Sequence, residues 1–369
     1  MQKFDPAGAF VAKAGLDDSS GDGRLNSPSG TALDASGNIY VVDTFNSRVQ
    51  KFDRTGKFLS KFGSFGRSDG QFEFPQSVAV DVSGNVFVVD SGNSRVEKFD
   101  SNGAFLGKFG SPGSSTGQFA TPVGIAVDSA GAVYVSERLN YRVQKFTASG
   151  QFVAQFGRQG SGNGELEGPG GIAIDKSGNV IVADQGNHRI QVFSLNGDYL
   201  SQFGNQGPVD KQLVYPEGVA VDAAGFIYVS DLSNVVKKFS SGGDLLTTFG
   251  ASGTADGQLS GPSAVAVDSF GVVYVADTEN FRMQEFGIAP AIATAVFNGK
   301  KLTIHGSGFG NSPIVTINGA DVSVFIVRDS DTSVILKGKT DKLNLRSGDN
   351  IVQVTGANNL KSSVFVLTL

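Results

Sequence analysis

An acidic residue followed five positions later by an arginine recurs in step along residues 43–282: Asp43/Arg48, Asp90/Arg95, Glu137/Arg142, Asp184/Arg189 and Asp277/Arg282. Arginines set out at regular intervals could form an anion-binding ring, each guanidinium taking a carboxylate or phosphate through two hydrogen bonds. The same spacing also suits a salt bridge that closes its own loop, with Asn46, Asn93, Asn140, Asn187 and Asn280 setting the turn. Recurrence favours the second reading, because contacts that every unit of a repeating chain needs belong to its scaffold. One unit breaks the pattern. There Val236 stands five residues after Asp231, so this carboxylate is expected to lack its usual partner.

Two other motifs invite a chemical reading. "DVSGN" (81–85) and its copies have the look of calcium loops, but each carries a single Asp where such a loop needs several alternating carboxylates. Asx-type turns are the simpler assignment. "FGSPGSSTG" (109–117) has the glycines of a phosphate cradle without the Gly-Lys-Ser/Thr that completes one. No cofactor is expected. Calcium is the one ion these motifs would admit, and their spacing does not support it.

The elements that must position these residues follow from an internal repeat. Pro28, Pro75, Pro122, Pro169, Pro216 and Pro262 recur every 47 residues, the last interval being 46. An apolar strand ending in Asp follows each proline, as in "VAVD" (78–81) and "IAID" (172–175). Then come a glycine turn, a second strand such as "VFVVD" (86–90), a third such as "RVEKF" (95–99) and a fourth such as "AFLGKF" (104–109). Four short strands in about 47 residues, with turn signals every 8–12, is the arithmetic of a propeller blade. The sixth unit supplies only three strands, ending in "RMQEF" (282–286), and "AFVAKAG" (9–15) from the N-terminus is predicted to complete it. "MQKF" (1–4) and "MQEF" (283–286) compete for one place there. The later copy is expected to take it, with Met1–Asp5 left over, as in a piece of a longer protein.

Composition agrees. The 369 residues include 50 Gly and 29 Phe but no Cys and no Trp, which suits many short strands joined by glycine turns. Absent cysteine removes disulfides and thiolate zinc sites, and absent tryptophan removes the Trp-Asp signature of one blade type. A net charge of −5 argues against nucleic acid, and no apolar run is long enough to span a membrane.

The unit P-x-G-I-A-V-D-x-x-G-x-V-Y-V-x-D-x-x-N-x-R-V-Q-K-F resembles the NHL repeat, and six copies in register imply a six-bladed all-β propeller over residues 1–287. Residues 288–369 resemble an IPT/TIG immunoglobulin-like sandwich, chiefly through "LTIHGSGFG" (302–310) and "PIVTINGADV" (313–322); such domains serve as spacers, adhesion or dimerisation modules. Combinations of this kind imply a bacterial cell-surface, periplasmic or extracellular setting.

The resemblance also frames the functional alternatives. Amidating and streptogramin lyases of similar fold gather several His, or His and Glu, around a central metal, whereas this propeller holds only His188; His305 lies beyond it. Lactonase-type propellers need acidic and amide side chains at the channel mouth, and here only Gln76 and Glu217 qualify. A metal-dependent lyase or hydrolase using these two is the alternative reading. RNA-binding relatives use a basic face, but this face carries Glu73, Glu137, Glu165, Glu167, Asp210, Glu217 and Glu279.

What varies between units is the loop before the third strand, which reads "TFNS", "SGNS", "RLNY", "QGNH", "LSNV" and "TENF". Phe45, Arg138, Leu139, Tyr141, His188, Leu232 and Phe281 depart from bland residues there. Tyr141, His188 and Phe281 either face a partner or pack on neighbouring blades, and Arg138 is harder to explain by packing. The sequence therefore predicts a non-catalytic recognition module for a protein, peptide or glycan. Its site is expected on the rim bearing Gln76, Arg138, Tyr141, His188, Glu217 and Phe281.

Overall fold

The computed structural model describes residues 9–14, 20–205, 212–269, 271–287, 291–307, 313–330, 333–355, 362 and 365–369. The chain divides into two compact units. The larger spans Ala12–Asp268 with Val273–Glu285, and the smaller is built chiefly from Phe286–Leu369.

In the larger unit each 47-residue repeat becomes one four-stranded antiparallel sheet. First strands are Pro28–Leu33, Pro75–Val80, Pro122–Val127, Pro169–Ile174, Val219–Val221 and Pro262–Val267; we number the sheets one to six after them. Second strands, Ile39–Asp43, Val86–Asp90, Val133–Glu137, Val180–Asp184, Ile227–Asp231 and Val273–Asp277, are buried at every residue. That burial explains their continuous apolar runs, since both faces of the sheet are covered. Third strands follow in register, as in Asp90 opposite Arg95 and Val86 opposite Phe99. Fourth strands, such as Phe105–Phe109, alternate between half-buried and exposed. Sheet six is ordered Ala9–Ala14, Arg282–Gly287, Val273–Asp277, Pro262–Val267. Residues 1–8, with "MQKF", lie outside the described residues.

Each first strand touches the next, and the sixth touches the first, so the inner strands form a closed ring. Hydroxyls clasp the seam: Ser263 Oγ and Thr278 Oγ1 donate to the Pro28 carbonyl at 3.1 and 2.6 Å. Glycine lets the ring close tightly elsewhere, because a Cβ on Gly30 would stand 2.6 Å from Ser77 Cα and 2.7 Å from the Gln76 carbonyl oxygen. Phenylalanines fill the space between sheets. Phe99 meets Phe62 and Phe72 at 4.7 and 5.6 Å between ring centroids, and Phe146 meets Phe109 and Phe119 at 4.8 and 5.4 Å. A fully buried Phe contributes roughly 1.5–3 kcal/mol, so this repeated cluster is a main source of cohesion.

The five acid–arginine pairs are buried ion pairs of 2.6–2.7 Å. Their remaining donors are spent on the scaffold. Arg48 bonds Asp43 at 2.7 Å and donates to the carbonyls of Ser20, Gly21 and Arg24. Arg189 does the same with the carbonyls of Ser161, Gly162 and Glu165, pinning the loop that crosses from the preceding sheet. These donors are therefore not free to form an anion-binding ring. Arg48, Arg95, Arg142, Arg189 and Arg282 are all buried and committed to their own loops, so they serve the scaffold and not a ligand. A glutamine two residues on, such as Gln191, bridges the same carboxylate and the Glu165 carbonyl. The "DVSGN" turns are closed in the same self-contained way, with Asp81 Oδ1 accepting from the amides of Ser83 and Asn85.

Two sheets depart from the pattern. Sheet five has a loop one residue shorter, so Val235, and not Val236, stands opposite Asp231. The expectation of an unpartnered Asp231 is corrected: buried Lys237 reaches it at 3.2 Å and also donates to the Gln212 carbonyl. In sheet two Glu97 takes the glutamine's place. It is wholly buried beside Asp90, with its Oε1 2.9 Å from Arg95 Nη2 and its Oε2 accepting the Gly70 amide at 3.0 Å. Burial pushes the Glu97 carboxyl up to about 7, against the pull of Arg95.

The smaller unit holds two four-stranded sheets. One is ordered Ala291–Phe297, Lys301–Ser307, Ser333–Lys337, Ile326–Ser330; the other Ala320–Asp321, Ile314–Ile317, Asp349–Thr355, Phe365–Thr368. Leu302, Ile304 and Val334 from the first sheet share a core with Val315, Val352 and Val354 from the second. Asn318–Gly319 makes a two-residue hairpin turn with both residues at positive φ, 51° and 82°. The "GSGFG" end of the strand around His305 and the "GANN" turn run largely into positions outside the described residues.

Candidate functional site

In five of the six sheets the first strand begins where the second ends, as in Pro28 opposite Asp43 and Pro169 opposite Asp184, and in sheet five the Glu217 amide donates to the Ser230 carbonyl at the same level. The residue after each proline and the residue after each second-strand acid therefore meet at one rim of the ring. Around that rim the first set reads Ser29, Gln76, Val123, Gly170, Glu217, Ser263, and the second reads Thr44, Ser91, Arg138, Gln185, Leu232, Thr278.

These two sets split the mouth into unlike halves. Near the seam, Ser29 and Thr44 share a hydrogen bond of 2.6 Å, as do Ser263 and Thr278, and all four side chains are engaged with backbone of the neighbouring sheet. Across sheets three to five the same positions hold Arg138, Gln185 and Glu217, with side-chain-free Gly170 between. Arg138 Nη2 stands 3.7 Å from Glu217 Oε2, beyond hydrogen-bond reach, and the buried Arg138 Nε has no partner. Burial pushes the Glu217 carboxyl upward, opposed by the Arg138 charge and a hydrogen bond from Gln185. A cavity of about 100 Å³ opens here, with Gln76, Arg138, Gly170 and Glu217 in its wall.

A second set of positions surrounds the mouth. The residue before each repeating proline (Ser27, Phe74, Thr121, Gly168, Tyr215, Gly261) and before each third strand (Ser47, Ser94, Tyr141, His188, Asn234, Phe281) has φ between 45° and 62°. This left-handed backbone costs a side-chain-bearing residue about 1–2 kcal/mol, and glycine or asparagine relieves it. Yet Phe74, Tyr141, His188, Tyr215 and Phe281 occupy five of these twelve places. The positions pair across neighbouring sheets. The His188 and Tyr215 rings meet edge to face at 4.3 Å, and His188 Nδ1 accepts the Tyr215 amide at 3.1 Å. Gly261 donates to Asn234 Oδ1 in the same way at the next junction.

The structure thus brings Gln76, Arg138 and Glu217 to one cavity and sets Tyr141, His188 and Phe281, all half-buried, at left-handed positions around the rim. Phe45, Leu139 and Leu232 are exposed. Phe74 and Tyr215, also exposed, escaped the sequence reading. Their signal was present: the residue before the repeating proline varies as freely as the loops do. Of the acids expected on this face, Glu137 is buried against Arg142, and Asp210 lies outside the described residues. Among the described residues, no three His, Asp or Glu side chains stand close enough to hold a metal ion.

The NHL repeat matches residues 25–52, 72–99, 119–146, 166–193 and 259–286. Sheet five, with its shortened loop and Lys237, is the repeat left unmatched. A 46-residue stretch is 44% identical to the protein brain tumor of Drosophila melanogaster, covering 12% of this chain and only 4% of that relative's length. Among solved structures, a protein of unknown function from Bacteroides thetaiotaomicron aligns with a TM-score of 0.59 at 15% identity, over 74% of this chain and 76% of its own. A gluconolactonase from Xanthomonas campestris aligns at 0.55 and 15%, over 78% and 99%. A catalytically inactive virginiamycin B lyase from Staphylococcus aureus aligns at 0.52 and 13%, over 88% and 99%. At such identities the likeness is one of fold alone. Five NHL repeats stand in this chain, and the solved structures it resembles are β-propellers.

Proposed function

We propose that the six repeat sheets form a six-bladed propeller acting as a recognition module, which holds a protein or peptide partner on the rim around Arg138 and Glu217. The observation that carries this reading is the set of five aromatic or histidine side chains at left-handed positions. Scaffold needs would favour glycine or asparagine there, as at Gly168, Asn234 and Gly261. Large rings kept at an energetic cost, beside the exposed Phe45, Leu139 and Leu232, are what a binding surface requires. That NHL-repeat proteins commonly bind proteins agrees with it. The smaller unit is read as an IPT/TIG-like immunoglobulin-type sandwich that spaces or anchors the propeller, in a cell-surface or extracellular setting.

Cavity size also favours recognition over turnover. About 100 Å³ is well under the roughly 300–1,000 Å³ of a small-molecule site, so it suits one group protruding from a larger partner. The test is selection of displayed random peptides on the full chain, followed by binding to a Tyr141→Asn/His188→Asn/Tyr215→Asn variant. A loss of tenfold or more with an unchanged or higher Tm is expected; equal affinity would move the partner elsewhere. A melt with EDTA and then calcium, zinc or magnesium separates the metal-dependent alternative. No reversible shift is expected, and one of about 2 °C or more would favour an ion at Glu217 and Gln76.

A further inference from the structure

Within the mouth, sheet three contributes a guanidinium and sheet five a carboxylate, and they face each other across Gly170 of sheet four. Everywhere near the seam the equivalent positions are small hydroxyls already satisfied by each other and by backbone. Here they are long, charged and only half-engaged. At 3.7 Å, Arg138 and Glu217 attract one another without a hydrogen bond, and Arg138 Nε has no partner at all. A side chain on residue 170, in the sheet between them, would press on the Glu217 backbone carbonyl at 3.0 Å and on Ala183 Cβ at 3.8 Å, so sheet four presents a bare glycine there.

A group set against this pair meets a donor and an acceptor side by side. An anion would satisfy Arg138 but confront Glu217. A cation would satisfy Glu217 but confront Arg138. A carboxamide matches both, its carbonyl accepting from the guanidinium and its N–H donating to the carboxylate, and it adds no net charge to a partly desolvated site. Resting on the recognition reading above, we infer that the Arg138–Glu217 gap is an anchor point for an asparagine or glutamine side chain presented by a polypeptide partner. Leu139 and Leu232, 60% and 50% exposed beside it, offer contacts to apolar side chains and not to a polyhydroxylated sugar.

The test sequences peptides selected on the full chain and measures them against Arg138→Met and Glu217→Ala variants. Enrichment of Asn or Gln at one position is expected, with affinity falling at least tenfold in either variant. Asp or Glu at that position, with binding strengthened in Glu217→Ala, would overturn the inference in favour of an anion. Lys or Arg, with binding strengthened in Arg138→Met, would overturn it in favour of a cation. Peptides that need Tyr141, His188 and Tyr215 but ignore both charged residues would sink this inference while leaving the rim's role standing. Selected binders indifferent to all five residues would sink both. If either variant fails to fold, the intact chain is titrated with acetamide, acetate or methyl glucoside while the Arg138 Nε–H resonance is followed by NMR. Acetamide alone should move it; a response to acetate or to the sugar alone, or none to acetamide, refutes the carboxamide assignment.

Discussion

Glu97 shows how much one residue can change inside a repeated scaffold. In sheets one, three, four and six, Gln50, Gln144, Gln191 and Gln284 each donate to the second-strand carboxylate and to a loop carbonyl. An ionised glutamate cannot donate, and in sheet two Glu97 instead accepts the Gly70 amide at 3.0 Å and stands 2.9 Å from Arg95, next to the Asp90 carboxylate. With its carboxyl raised to about 7 from an ordinary 4.5, the folded state holds a proton that the unfolded state has released. The associated stability is fully present below about pH 4.5 and is lost as pH rises through about 7. Glu97→Gln should therefore raise stability at pH 8, on the order of 2–3 kcal/mol, and flatten the slope between pH 5 and 8. Urea melts across that range measure both, and an unchanged slope would assign the titration to another group. The rim aromatics respond oppositely: Tyr141→Asn should cost no stability and gain up to about 1 kcal/mol from relief of left-handed strain. A clear loss in a thermal melt would mean that the ring's packing outweighs the strain.

Elements divide into those fixed by the repeat and those that depart from it. The strand order was legible because the apolar runs, glycine turns and acid–arginine spacing recur in step. The buried pairs were legible for the same reason, and they explain why Arg189→Met should cost about 3–5 kcal/mol by leaving Asp184 unpaired in the interior. Denaturant unfolding tests this, and a loss under 1 kcal/mol would mean that Asp184 finds another partner. Sheet five was less legible. A one-residue deletion in its loop moved Val235 into place and let Lys237 answer Asp231, which counting five positions could not reveal. Nor could sequence show that Phe74 and Tyr215 sit at left-handed positions, since backbone handedness arises from how neighbouring sheets meet. Arg138 and Glu217 could be singled out by type, but their meeting across Gly170 depends on the ring's curvature, and no spacing in the chain encodes that.

At the scale of the whole ring, closure depends on both ends of the repeat region. The strand Ala9–Ala14 covers the edge of Arg282–Gly287, while Ser263 and Thr278 hold the seam to Pro28. Removing residues 1–14 uncovers a strand edge of the kind that pairs with other chains. Such a truncation should lower Tm and shift the protein towards dimers or larger species in size-exclusion chromatography. A monomer with an unchanged melt would show that the inner ring alone is sufficient.

The twelve left-handed positions have a consequence beyond affinity. Their backbone conformation is dictated by the junction between sheets and is the same under serine, glycine, tyrosine or phenylalanine. The direction in which each side chain leaves the rim is thus set independently of what that side chain is. Such positions behave as fixed mounts with interchangeable fittings: a ring swapped from one junction to another would arrive with its aim already determined. A new specificity could then be assembled by exchanging a handful of residues, with the strands beneath left untouched.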